Sequence, residues 1–169
     1  MNEILNHWNG LAIEDATAEV VSICGSRAWA SLLAVRRPYA TEVELSRTAD
    51  EIWWSLTAED WLEAFRCHPR IGERKSQHAS HQSTTWSRQE QFSVASATVT
   101  VLDSLAARNQ EYEERFGFTY IVCATGKSAE EMLAIADRRL ANNRTDELRE
   151  AAEQQRQITQ IRLGKWLST

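Results

Sequence analysis

His68, Glu90 and Arg162, as residue types, combine acid–base chemistry, an orienting carboxylate and an anion clamp. His68 follows the run Trp61-Leu62-x-x-Phe65, which has helical spacing, and precedes Pro69. A residue before proline is pushed away from α geometry. The imidazole therefore sits at a helix C-terminus, where the macrodipole favours its charged form, and an adjacent carboxylate would act the same way. The competing reading of a single histidine is a structural hydrogen-bonder. Glu90 enters through a stripe: the spacing predicts a helix over 86–109 with Val94, Thr98, Val101, Leu102 and Leu105 on its inner side. Continued backwards by turns, that stripe reaches Gln91, Glu90 and Ser87, an amide, a carboxylate and a hydroxyl on one face. Buried without partners, such groups cost several kcal/mol. In the other reading the first turn emerges into water and Ser87 and Glu90 form a capping box. Arg162 lies on the last helix, 145–167, whose stripe runs through Leu148, Ala152, Gln155, Ile158, Ile161 and Trp166. It either snorkels to the surface or clamps a planar anion with its fork.

His78 and His81 lie in the polar, aperiodic stretch 73–85. With His68 they are the sole candidates for a metal site, but loop histidines are usually solvated and no further ligand is near, so no metal is expected.

The elements that must position these groups read as helices. Thr41-x-x-Glu44, Thr57-x-x-Asp60 and Ser128-x-x-Glu131 have the form of N-terminal caps, and Asn142-Asn143 ends one helix and begins the next. Helices are predicted near 2–8, 13–24, 26–35, 41–56, 57–67, 86–109, 110–116, 128–141 and 145–167, with 73–85 as a surface loop. Between Gly117 and Gly126, the run Phe118–Ala124 is short, apolar and rich in β-branched and aromatic residues, which predicts an extended buried segment near 118–124. Six glycines and two prolines in 169 residues are too few turn-formers for a many-stranded sandwich or barrel. The expectation is an all-α, single compact multi-helix domain over 1–169, with about nine helices.

Composition excludes several classes. The net charge is 19 − 24 = −5 and no Lys/Arg-rich run occurs, which argues against a nucleic-acid partner. Cys24, Cys67 and Cys123 are odd in number and widely spaced, matching neither a disulfide framework nor a zinc motif. No apolar stretch approaches the ~20 residues that span a bilayer, and the first residues lack a signal pattern, so a cytoplasmic protein without membrane contact is expected. Trp53 and Trp54 are adjacent and cannot both face inward, since neighbours on a helix lie ~100° apart at ~3.6 residues per turn. That points to a homodimer contact.

Taken in order, the motifs are RAW at Arg27–Trp29, RPY at Arg37–Tyr39, HPRIG at His68–Gly72 and WSRQEQ at Trp86–Gln91. They continue with N-x-x-Y-x-x-RFGF from Asn109 to Phe118, IVCATGKS from Ile121, RLANN from Arg139 and the tail ending Arg162-Leu163. This ordered set covers nearly the whole chain and resembles the family of 2-oxo-4-hydroxy-4-carboxy-5-ureidoimidazoline (OHCU) decarboxylases. The resemblance implies a compact, all-α, cofactor-free carboxy-lyase of urate breakdown that acts on a small ureidoimidazoline and delivers (S)-allantoin. It implies a catalytic His68 with Glu90 as its carboxylate partner. It further implies a pocket formed by Pro69, Ser87, Gln91, the main chain of Tyr120, Ile121 and Val122, and Arg162. Two rival readings come from the residues alone. One is a non-catalytic helical binding module, suggested by seven tryptophans. The other is a metal-dependent hydrolase built on His68, His78 and His81.

Overall fold

A computed structural model describes residues 2–72, 81–91, 94 and 97–169, with His81 and Ser83 described in their backbone only. Among these residues all regular structure is helical. The elements are α1 (Glu3–Asn9), α2 (Ile13–Cys24), α3 (Arg27–Val35), α4 (Glu42–Ser55) and α5 (Ala58–Arg66), then α6 (His81–Glu90), α7 (Val99–Phe116), α8 (Ala129–Arg139) and α9 (Arg144–Trp166). The all-α expectation is borne out.

Local chemistry sets the ends of these helices. Asn2, Ser26, Thr41, Thr98 and Ser128 each turn a side-chain oxygen onto the backbone N–H three residues on, satisfying one of the donors that a helix start leaves without a partner. Ser128 and Glu131 complete the reciprocal box, and so do Thr57 and Asp60. Gly117 ends α7 in a left-handed conformation, φ 79°, that only glycine adopts without strain, and so turns the chain into the 118–124 run.

The helix predicted over 86–109 does not form as one element. α6 occupies His81–Glu90, α7 begins at Val99, and Thr98 between them is extended at φ −67°, ψ 154°. Thr98 fits the apolar stripe by spacing, but its hydroxyl accepts from the Val101 N–H and starts a new helix. The break predicted at 110 is absent, because α7 runs through to Phe116. Residues 81–85, expected in a surface loop, are the first turns of α6; the rest of that stretch, 73–80, lies outside the described residues.

By packing, the chain divides into two compact units, Met1–Ala64 with Arg156–Thr169, and Phe65–Gln155. In the first, α3 packs against α2 and α4. The fully buried Trp8 donates from Nε1 to the Ala16 carbonyl at 2.9 Å, stacks on Tyr39 and meets Trp166 edge-on. Trp53 is buried and Trp54 is 37% exposed, with Trp61 in contact with both rings. The adjacent pair therefore splits between inside and outside, as the helical spacing requires. Trp8, Trp29, Trp53, Trp86 and Trp166 are all buried. The tryptophan content is thus mainly core, which removes the basis of the binding-module reading.

In the second unit α7 packs on α8. Tyr112 is the hub of an aromatic cluster, its ring centroid 4.7 Å from Phe116, 5.1 Å from Tyr120 and 5.7 Å from Phe118. The run 118–124 is non-helical and buried except for the half-buried Thr119, matching the segment expected there. No described helix is long and apolar enough to cross a membrane.

Candidate active site

Within the second unit, three segments carry the predicted groups other than Arg162. The first is the turn that follows α5. His68 lies two residues past the end of the helix, half-buried, with its N–H on the Phe65 carbonyl at 3.1 Å and the Nε2 edge of its ring buried. Pro69 behind it is buried. Three contacts then hold residues 70–72. Arg70 forks onto the Glu113 carboxylate with two bonds of 2.7 Å. Asn109 donates to the Ile71 carbonyl at 3.2 Å. The Gly72 N–H donates to the Gln91 side-chain oxygen at 3.0 Å. Gly72 itself has φ 89°, the left-handed region in which glycine avoids strain.

The second segment is the end of α6. Ser87 is buried, while Glu90 and Gln91 are half-buried. Ser87 and Glu90 are three apart on the helix and share a face. The backward continuation of a single stripe is lost with the 86–109 helix, but the shared face survives within α6. Gln91 has a duty that the sequence did not indicate: its carboxamide oxygen braces the turn that carries His68. This bond fastens the end of α6 to the histidine-bearing turn.

The third segment is 118–124. Phe118 meets Phe65 with ring centroids 5.6 Å apart, three residues before His68. No strand pairs with this run among the described residues, yet buried backbone polar groups require partners. Side chains supply several of them. Arg139 donates to the Ile121 carbonyl at 2.7 Å, Gln154 accepts from the Cys123 N–H at 2.9 Å, and Lys127 donates to the Cys123 carbonyl at 2.7 Å.

Arg139 and Glu147 form an ion pair with both side chains fully buried. Two guanidinium nitrogens reach Glu147 Oε1, at 2.8 and 2.5 Å. The Tyr112 hydroxyl donates to the same oxygen, and Asn142 donates to the other at 2.8 Å. The Tyr120 hydroxyl donates to the Met132 carbonyl at 2.9 Å, and Arg139 lies 5.0 Å from the Tyr120 ring centroid. Burial raises the pKa of both tyrosines far above the ordinary phenol value, an effect that outweighs the lowering by nearby Arg139. Both remain neutral donors. The sequence reading did not reach this cluster, although Arg139 and Glu147 carried a signal, since each falls at helical spacing from apolar positions, Met132 and Ala136 for the first and Ala151 for the second.

Arg162 belongs to the first unit and is 1% exposed. The snorkelling alternative is thereby excluded, because a snorkelling arginine keeps its head in water. On α9 it shares a side with Thr159, three residues earlier and also buried; the sequence reading passed over Thr159.

A cavity of about 530 Å³ lies beside the histidine-bearing turn, lined by Arg70–Gly72 together with Leu102, Ala106, Asn109 and Gln110. None of the predicted site residues lines it. Among the described residues no group of three His, Cys, Asp or Glu side chains is placed to hold a metal. His78 lies outside the described residues, and His81 is described only in its backbone.

The sequence profile of the family described as OHCU decarboxylase matches residues 9–164. The chain is 34% identical over 160 residues to the uric acid degradation bifunctional protein of Arabidopsis thaliana, covering 94% of this chain and 49% of that protein. It thus spans about half the length of that relative. It is 35% identical over 132 residues to the 2-oxo-4-hydroxy-4-carboxy-5-ureidoimidazoline decarboxylase of Amia calva, covering 75% of this chain and 73% of the other. Among solved structures, a crystal structure of OHCU decarboxylase in the presence of (S)-allantoin superposes with a TM-score of 0.78 at 33% identity, covering 89% of this chain and 98% of that one.

Proposed function

The chain belongs to the OHCU decarboxylase family, and from that premise we propose that it removes CO2 from 2-oxo-4-hydroxy-4-carboxy-5-ureidoimidazoline to give (S)-allantoin. The family profile runs through both packing units, which supports treating 1–169 as one decarboxylase domain. The substrate carries a hydroxyl and a carboxylate on one ring carbon, beside a C=N carbon that bears the ureido group. When the bond to the carboxylate breaks, its electron pair forms a C=C bond and the C=N nitrogen takes up the displaced pair. The substrate is its own electron sink, so the reaction needs no pyridoxal or thiamine cofactor. The C=N nitrogen takes up a proton, and the enol left behind becomes the ring carbonyl of allantoin as its hydroxyl proton departs and a proton is added to the ureido-bearing carbon.

In this reading His68 takes or relays the hydroxyl proton. Glu90 holds the imidazole tautomer and orients the ureido group. Ser87, the Gln91 amide, Pro69 and the main chain of Tyr120, Ile121 and Val122 hold the ring edges, and Arg162 binds an anionic oxygen through its fork. The observation that carries the reading is the Gln91–Gly72 bond, because it joins the α6 residues to the turn bearing His68. The exposed Trp54 ring supports a homodimer contact, which light scattering at high micromolar concentration would test by showing a mass above the 19.3 kDa of one chain. The environment proposed is the reducing cytoplasm, consistent with three widely spaced cysteines that match no disulfide framework.

The deciding experiment supplies the short-lived substrate from urate with urate oxidase and hydroxyisourate hydrolase, and follows (S)-allantoin by circular dichroism. The wild type is expected to outpace spontaneous, racemic decay. His68→Asn should lose at least about a hundredfold in kcat, the scale of general acid–base catalysis, with the fold intact. Arg162→Lys, which keeps the charge but not the fork, should lose at least roughly tenfold in kcat/KM. Undiminished turnover by His68→Asn would overturn the assignment, and an unchanged Arg162→Lys would remove Arg162 from the site.

A further inference from the structure

The buried Arg139 does something that ordinary ion pairing does not require: it spends a guanidinium nitrogen on the Ile121 carbonyl, in the middle of the run proposed to bind the substrate. In a planar trans peptide the C=O and the following N–H point in opposite directions. With the Ile121 carbonyl turned to Arg139, the Val122 N–H points away from that guanidinium. The next peptide repeats the arrangement. Its Cys123 N–H is turned to Gln154, so the Val122 carbonyl points away from that carboxamide. A donor and an acceptor from one residue are thereby set by side chains of α8 and α9, the part a neighbouring strand would play in a sheet.

We infer that Arg139, oriented by Glu147 and Tyr112, is a positioning residue that fixes the Val122 peptide groups for the N–H and C=O edge of a cyclic ureide ligand. The inference rests on the decarboxylase reading and adds a residue that touches no reacting atom. A buried ion pair is weak grounds for stability, since a well-packed apolar replacement often serves as well or better. What apolar groups cannot supply is a directed donor to the Ile121 carbonyl. Lysine cannot supply it either while also bonding Glu147 as Arg139 does, because its ammonium is a single point donor and not a planar fork.

The test measures binding of (S)-allantoin, as a stable cyclic ureide, by calorimetry, together with KM and kcat in the coupled assay. The proteins are the wild type, Arg139→Lys and the double variant Arg139→Met/Glu147→Leu, whose apolar pair keeps the core packed if the lysine variant does not fold. Loss of correctly aimed peptide groups weakens ground state and transition state alike. The expected result is therefore a Kd and KM raised at least about tenfold with kcat nearly unchanged, in proteins whose circular dichroism matches the wild type. A purely structural role would lower Tm and leave Kd and KM alone. Folded variants that bind within about twofold of the wild type would overturn the proposal. A wild type that neither binds allantoin nor turns over the ureidoimidazoline would instead overturn the decarboxylase reading, and the premise of this inference with it.

Discussion

The two irregular segments that carry the candidate site are held in opposite ways. Residues 70–72, just past His68, carry an ion pair of Arg70 with Glu113, whose side chains are 48% and 25% exposed, beside the neutral hydrogen bonds of the half-buried Gln91 and the buried Asn109. The 118–124 run is held by Arg139 and Glu147, both fully out of water. An exposed pair has its Coulomb energy screened by solvent and salt and contributes about 0–1 kcal/mol. A buried pair has no such screening, and removing one partner strands the other charge in a low dielectric. The comparison teaches a division of labour. The proposed acid–base residue sits beside a turn whose ion pair is exposed and replaceable, whereas the main chain proposed to read the substrate is tied to a buried charge cluster that cannot be loosened alone.

Breaking the strong side should have the largest effect. Arg139→Met leaves Glu147 buried without its cation and is expected to lower unfolding free energy by about 3–5 kcal/mol, measured by urea denaturation. Adding Glu147→Leu should recover most of that loss. A single variant as stable as the wild type would show that the pair is not isolated from water.

The alkaline limb of the stability curve tests the same cluster without mutation. The protein has three tyrosines, all buried. Burial pushes Tyr39 up to about 12 and moves Tyr112 and Tyr120 upward as well. The unfolded chain releases phenolic protons near pH 10 and the folded chain holds them, so this stabilisation is complete below about pH 10 and is lost as pH rises through the folded values. Phenolate absorbance is expected to stay low past the ordinary phenol range and then rise together with the loss of helical circular dichroism. A separate titration near pH 10 in a still-folded protein would place at least one tyrosine in solvent.

Loosening the weak side should have the smallest effect. Glu113→Gln removes the charge facing Arg70 but keeps an acceptor, and it should cost about 0.2–1 kcal/mol of stability and lower kcat/KM by no more than a few fold. Its effect should shrink further in high salt. A loss as large as that of Arg139→Met would erase the contrast between the two segments.

How much of this was legible in the sequence depended on how far apart the interacting residues lie. The caps at Thr41, Thr57 and Ser128 were readable because a hydroxyl and a carboxylate three residues apart meet within one turn. The buried run after Gly117 was readable from its apolar content and flanking glycines, and the motifs from Arg27 to Leu163 carried the family resemblance. The α6–α7 boundary was missed because Thr98 fits an apolar stripe by spacing as well as it fits a cap, and local pattern does not separate the two.

The sequence by itself determined the helical class, most helix starts, the residue types able to do the proposed chemistry and the order of motifs that identifies the family. Each follows from interactions within a few residues or from composition. Only the tertiary structure decided that Arg162 is buried and does not snorkel, that Gln91 braces the turn at Gly72, and that Arg139 joins Glu147 and the Ile121 carbonyl. The reason is geometric. Gln91 and Gly72 are 19 residues apart and Arg139 and Ile121 are 18 apart. Whether a charged side chain meets water, a carboxylate or a backbone carbonyl depends on elements that the chain brings together only when it folds.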